Sequence, residues 1–180
     1  MPSSPTIEQA NGEETNLEMM LESRERAIEL YDKLNSDKWI LSKNKNEIEL
    51  YKLKDKLKSS EVFLKRIMNI DAPITNAVEW MEDTDFQLQC NNRLKTLEVI
   101  EEIGDNAQII YQQSKSSFVV NARDFFICSV KTKLKNDKIL LTNHSVDSID
   151  RNKKIVRGHV HSIFLFEPIS DNWTNVINIL

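Results

Sequence analysis

The chain has 180 residues, 40% of them hydrophobic, 29% charged and 7% aromatic, and a formal net charge of −4. That balance describes one globular domain with a short tail, large enough to enclose a ligand-sized cavity but not for two full domains. It excludes two function classes: scattered Lys and Arg give no basic stripe for nucleic acid, and three separated glycines, Gly12, Gly104 and Gly158, cannot build a glycine-rich phosphate loop.

Residues 1–15 are polar, with Pro2, Pro5 and Gly12, and hold too little apolar surface to offset the entropy of ordering them, so they are expected to form a disordered tail before a domain over 16–180. From Asn16, placed as an N-cap, the residues Leu17, Met20, Leu21, Ala27, Ile28, Leu30, Tyr31 and Leu34 recur at helical spacing. Trp39–Leu41 and Ile48–Tyr51 flank a polar turn and predict a hairpin, and a third strand is predicted from Val62 to Ile70. Pro73 opens a helix carrying Val78, Trp80 and Met81 and ending near Asp83, followed by a polar stretch to Asn92. Strand-like runs then follow at 97–103, 108–112, 118–120, 125–134, 138–146, 155–166 and 173–180. They are separated by turn-forming breaks at 104–106, 135–137, 147–154 and 170–172. Short loops between consecutive strands argue for an antiparallel meander, and the class is α+β.

Two cysteines, Cys90 and Cys128, are too few for a disulfide framework or structural zinc, which fits a reducing compartment and a cytoplasmic setting. No secretory signal and no transmembrane run of about 18 apolar residues is present. His159 and His161 share a strand face and with His144 could offer three metal ligands, yet no nearby carboxylate or cysteine completes the set. They read instead as a polar outer face opposite Gly158, Val160 and Ser162, and no metal or cofactor is expected. Cys128 lacks a placed histidine base and reads as a small hydrophobe. The Glu82–Asp85 cluster lacks calcium-loop spacing and reads as a solvated turn. With no base and nucleophile pair, an enzyme is not expected.

A set of short phrases in fixed order resembles the START domain, a helix-grip lipid-binding module. They are Trp39, Leu50-Tyr51-Lys52, Pro73 before its helix, Leu97 to Ile103, Ile110-Tyr111, Arg123-Asp124-Phe125, Ser145-Val146-Asp147, Val156-Arg157-Gly158 and Glu167-Pro168. The phrases from Val156 to Ser162 and Phe166 to Pro168 are most similar to the small single-domain cytosolic members that carry sterols and related lipids. The resemblance implies a curved antiparallel sheet gripping a C-terminal helix, with one lipid, such as a sterol, phospholipid, ceramide or bile acid, held non-covalently in an apolar tunnel. It also implies transient membrane contact during transfer. Burying roughly 400 Å² of lipid surface at about 25 cal/mol/Å² yields on the order of 10 kcal/mol before ordering costs.

The family register turns Phe125, Ile127 and Ser129 into the cavity, with a bulge after Asp124 shifting the phase, whereas plain alternation favours Phe126, Cys128, Val130 and Leu134. Gln112, Asn143, Gly158, Val160 and Ser162 complete the expected lining. Arg123 is read as holding the loop before its strand, and Arg157 as pairing with a carboxylate at the sheet edge.

Three departures from the family stand out. Cys90-Asn91 replaces a Trp-Asp pair, which implies a local cavity or repacking. Where some sterol carriers bury an arginine against an acid, this chain has Ser129 and approximately Gln112, which suits a hydroxyl-selective or water-bridged site rather than an ion pair. Finally, nothing after Trp173 is long enough to form the C-terminal lid helix. An uncovered groove would expose more apolar surface than a monomer normally tolerates. A shortened chain is the first expectation. The alternatives are a groove covered by the N-terminal helix, a second copy or a protein partner, and a protein-interaction module that grips a partner helix or peptide.

Overall fold

The computed structural model describes residues 7–53, 63–118, 121–146 and 155–180, with side chains described from Asn16 onward. Helix α1 (Ile7–Asp32) leads into the hairpin β1 (Trp39–Lys45) and β2 (Ile48–Leu53), then β3 (Leu64–Ile70). Two short helices, α2 (Ile74–Glu82) and α3 (Thr84–Cys90), precede β4 (Leu94–Ile103), β5 (Ala107–Ser114), β6 (Arg123–Lys133) and β7 (Ile139–Ser145). The chain continues through β8 (Val156–Arg157), β9 (His161–Ser170) and β10 (Trp173–Ile179). Among the described residues these strands form one curved sheet in the order β1-β2-β3-β10-β9-β7-β6-β5-β4. Its neighbours are antiparallel except for β8, which adds two parallel pairs beside the start of β6.

Three turn sites with left-handed backbone explain why the hairpins close where they do. Asn46 and Glu47 take φ of 52° and 61° between β1 and β2, Gly104 takes 60° between β4 and β5, and Asn136 and Asp137 take 59° and 56° between β6 and β7. Such turns match the twist of the flanking strands, and a glycine adopts them without a Cβ penalty.

Both faces of the sheet centre are covered, by different helices. On one face α1 and the turn after it bury Ala27, Leu30 and Leu34 against Leu140, Ile163, Leu165 and Ile179. Met19 and Met20 extend this contact onto Ile109, Tyr111, Phe126 and Cys128. On the other face α2 buries Ala77 and Val78 against Leu141, Phe166 and Val176.

Several local expectations change. Helix α1 begins at Ile7, so the segment 7–15 is helical in backbone, and Asn16 is no N-cap: it lies inside the helix and its amide donates to Glu101 at 2.8 Å. Residues 1–6 of the expected tail lie outside the described residues, as do Val62 and the break at 147–154. The polar stretch after Asp83 forms α3, because the Asp83 carboxylate accepts from the Phe86 backbone N–H at 2.9 Å and caps it. The acidic cluster is thus a capping site. Phe118 is a fully exposed bend rather than a strand, and Val119 and Val120 lie outside the described residues. The expected strand over 155–166 is two strands, interrupted at Gly158-His159-Val160.

Candidate functional site

Strand β6 decides where the site lies, because its side chains alternate between the two covered faces. Phe126, Cys128 and Val130 point to α1, while Phe125, Ile127 and Ser129 line a groove on the opposite face. The register between β5 and β6 runs unbroken from Ala107↔Val130 to Gln113↔Asp124, so no bulge after Asp124 is needed. Plain alternation selects the set facing α1 instead, because both faces are buried and hydrophobicity then carries no phase.

The groove has a volume of about 260 Å³. Its floor comes from β4 through β9, and Met81 and Glu82 of α2 with Gln87 and Asn91 of and after α3 form its wall. Of the expected lining, Gln112, Phe125, Ile127, Ser129, Asn143, Val160 and Ser162 are brought together here. Gly158 is not on the groove surface. It lies behind Phe125, where any Cβ would overlap the ring, and its N–H donates to the Asp124 carbonyl at 2.8 Å. Only a residue without a side chain lets the chain pass this close to the aromatic wall. Gln108, Ile110, Leu141 and Phe164 also line the groove and were missed. Ile110, Leu141 and Phe164 each stand two residues from a predicted lining residue and Gln108 four from Gln112, so the period of two alone could have found them.

Strand register turns this lining into bands. Gln108 lies opposite Ser129, Ser129 opposite Asn143, and Asn143 opposite Ser162, giving one row of neutral polar side chains across four strands. Gln112 is paired with Phe125 instead, so the residue facing Ser129 is Gln108. Ile110 and Ile127 flank the row on one side, and Leu141 and Phe164 on the other. Asn143 reaches Ser162 at 3.5 Å, and Ser129 is buried without any ionic group beside it in the row. Glu82 at the rim is engaged by Lys131 at 2.7 Å. An apolar floor crossed by amides and hydroxyls can hold a hydrophobic molecule and hydrogen-bond one neutral polar group on it.

At the β6–β8 edge Arg157 donates to both oxygens of the buried Asp124, at 2.8 and 3.3 Å, and stacks over Phe126 at 4.6 Å. Arg123 holds the preceding loop through its backbone, its N–H donating to the Ser114 hydroxyl at 2.9 Å, while its side chain is exposed.

The remaining candidates lie on the α1 face. The His144 ring is buried and stacked on His161 with centroids 4.4 Å apart, their Nδ1 atoms within hydrogen-bond distance, and His144 Nε2 is 3.2 Å from the Glu22 carboxylate. Burial, then the neighbouring His144, Arg26 and His159, hold the His161 pKa below its ordinary 6.5 against the opposing pull of Glu22. Among the described residues no set of three His, Cys, Asp or Glu side chains is arranged to hold a metal ion. Burial pushes the Cys128 thiol up to about 11, which suits packing and not nucleophilic attack. Cys90 is exposed at the end of α3. Among the described residues no helix is long and apolar enough to cross a membrane.

Among the described residues the sheet carries α1 on one face and α2 and α3 on the other, and β10 is the last element. The groove is not covered by α1, which packs on the opposite face of the sheet. Comparison with solved structures finds the same architecture. The human StAR-related lipid transfer protein 5 is similar at TM-score 0.80 and 13% identity, over 92% of this chain and 82% of that one. A fragment of the STAR-related lipid transfer protein from Xanthomonas axonopodis matches at TM-score 0.72 and 19% identity, over 80% and 81% of the two chains. The human StarD13 lipid transfer and protein localization domain matches at 0.70 and 15%, over 98% and 82%. A search of curated protein sequences finds no significant match. At these identities the structures establish the fold alone, but the START domain family model itself matches residues 21–180. A match spanning nearly all of the folded chain, joined to the helix-grip sheet and its groove, makes this chain a member of the START domain family, whose domains bind and transfer lipids.

Proposed function

We propose that this domain binds one compact neutral lipid bearing a hydroxyl, a sterol or a close relative, in the groove beneath α2 and α3, and carries it between membranes of the cytoplasm. The observation that carries the reading is the row Gln108–Ser129–Asn143–Ser162 across an otherwise apolar floor. Neutral hydroxyl and amide groups match a lipid hydroxyl, whereas a phosphate would enter a site whose floor offers no cation and would forfeit its hydration. Size points the same way. A groove of about 260 Å³ lies just below the roughly 300–1,000 Å³ typical of ligand sites and leaves no room for two acyl chains. Hydrophobic burial drives the binding and no bond is made or broken, so the activity is carriage and not catalysis.

Native mass spectrometry of the purified chain, followed by organic extraction, tests this. A single hydroxylated neutral lipid at one per chain supports the reading. A bound diacyl phospholipid, or a chain that binds no sterol when loaded from vesicles, overturns it. A chain isolated instead with a peptide or partner helix in the groove favours an interaction module.

A further inference from the structure

A cavity of about 440 Å³, larger than the groove, lies on the other face of the sheet, between α1 and strands β6 and β7. It arises from the way α1 is rotated. The residues buried against the sheet are Ser23, Ala27, Leu30 and Leu34, with Ser23 hydrogen-bonded to Thr142 at 3.3 Å. A second stripe, Leu17, Leu21, Arg24, Ile28 and Tyr31, follows the same helical spacing one position on and overhangs the cavity. Its four apolar members remain 37–58% exposed, a cost that a helix closed onto its sheet would avoid. The sheet side of the cavity is Val130, Thr132, Leu134, Leu140 and Thr142.

Arg24 is the single charged residue of that lining. Its helical neighbours at three and four residues are Met20, Leu21, Ala27 and Ile28, all apolar, so no acid on α1 faces it. Two glutamates of α1, Glu22 and Glu29, serve other partners, His144 and Lys33. No ion pair or hydrogen bond to the Arg24 side chain occurs among the described residues. An apolar slot sized for one acyl chain with an unpaired guanidinium on its lip is complementary to an amphiphile with an anionic head, because a carboxylate can take both guanidinium donors while the chain fills the slot.

We infer that the α1 cavity is a second ligand site, separate from the groove, that takes a single-chain anionic amphiphile of the fatty-acid class, its carboxylate on Arg24 and its chain beneath Leu17, Leu21 and Ile28. The inference stands independently of the sterol reading, because the two sites are on opposite faces of the sheet and share no lining residue.

Isothermal titration of the intact chain with laurate, in parallel with its sterol titration, tests it. Saturable laurate binding is expected, weakened by about tenfold or more in Arg24→Gln through loss of the charge-assisted pair. Thr132→Trp, which fills the slot from an exposed strand position, should abolish it without altering thermal unfolding or sterol binding. Ser129→Phe, which fills the opposite groove, should leave laurate binding intact. The inference fails if laurate does not bind, if Arg24→Gln and Thr132→Trp bind it as the parent does, or if Ser129→Phe removes it. It also fails if the chain is a dimer in solution whose α1 interface excludes laurate. Loss of sterol binding with laurate binding retained would count against the groove reading alone.

Discussion

Asp124 and Arg157 form the contact on which the entrance to β6 depends. The carboxylate is 1% exposed and the guanidinium covers it from β8, so truncating the arginine leaves a charge buried beside Phe126. Arg157→Ala should cost about 3 kcal/mol, the lower end for a broken buried pair because Arg157 itself reaches solvent, read from the shift in urea midpoint. Gly158 acts on the same corner through space alone. Gly158→Ala forces either Phe125 or the β8–β9 connection to move, and should destabilise by roughly 1–3 kcal/mol while narrowing the groove, seen as weaker lipid binding in the folded variant. Cysteine reactivity separates the two thiols: Cys90 is exposed, whereas Cys128 is buried and its ionisation is suppressed. A thiol reagent such as Ellman's should therefore titrate one cysteine in the native chain and both after unfolding, and two fast native thiols would show that the α1 face is open.

Between elements, the contact of α1 with β7 and β9 runs through Glu22, His144 and His161. The groups facing His161 are His144 of β7, Glu22 and Arg26 of α1, and His159 in the link before β9. Its folded pKa is lowered from 6.5, so the unfolded chain takes up the proton first. The contribution is fully present above about 6.5 and is lost as pH falls through the folded value. Stability to urea should decline from pH 7 to 5, and His161→Gln should flatten that slope. An unchanged slope would place the pH dependence elsewhere.

The strands were largely legible at this scale because turns such as Lys135-Asn136-Asp137 and Ser170-Asp171-Asn172 mark their ends. The short α3 was not, since seven residues with no fully buried side chain give no apolar period, and its cap, Asp83, read as a solvated acid. The phase of β6 was legible only through family resemblance, for the physical reason that its side chains are buried on both faces, under α1 on one side and in the groove on the other. The bulge invoked for that phase does not exist. The apolar stripe of α1 was visible, but not that half of it would face an unfilled cavity, because the rotation is set by small residues, Ser23 and Ala27, that let the helix approach the sheet.

For the whole molecule, one sheet bounds two unlike cavities among the described residues. The groove face is apolar and crossed by neutral polar groups, and the α1 face holds a larger slot marked by a single arginine. Among the described residues α2 and α3 wall the groove from one side, and its floor runs across the strands from β4 to β9. The central claim is that this floor, and the Ser129 row in particular, is the seat of the lipid. Fluorescence titration of the chain and of Ser129→Phe with dehydroergosterol, a fluorescent sterol, tests it most directly. The account predicts saturable binding at one sterol per chain, weakened by at least about tenfold, or about 1.4 kcal/mol, when the phenylalanine fills the groove. Equal binding by parent and variant, or none by the folded parent, would contradict it.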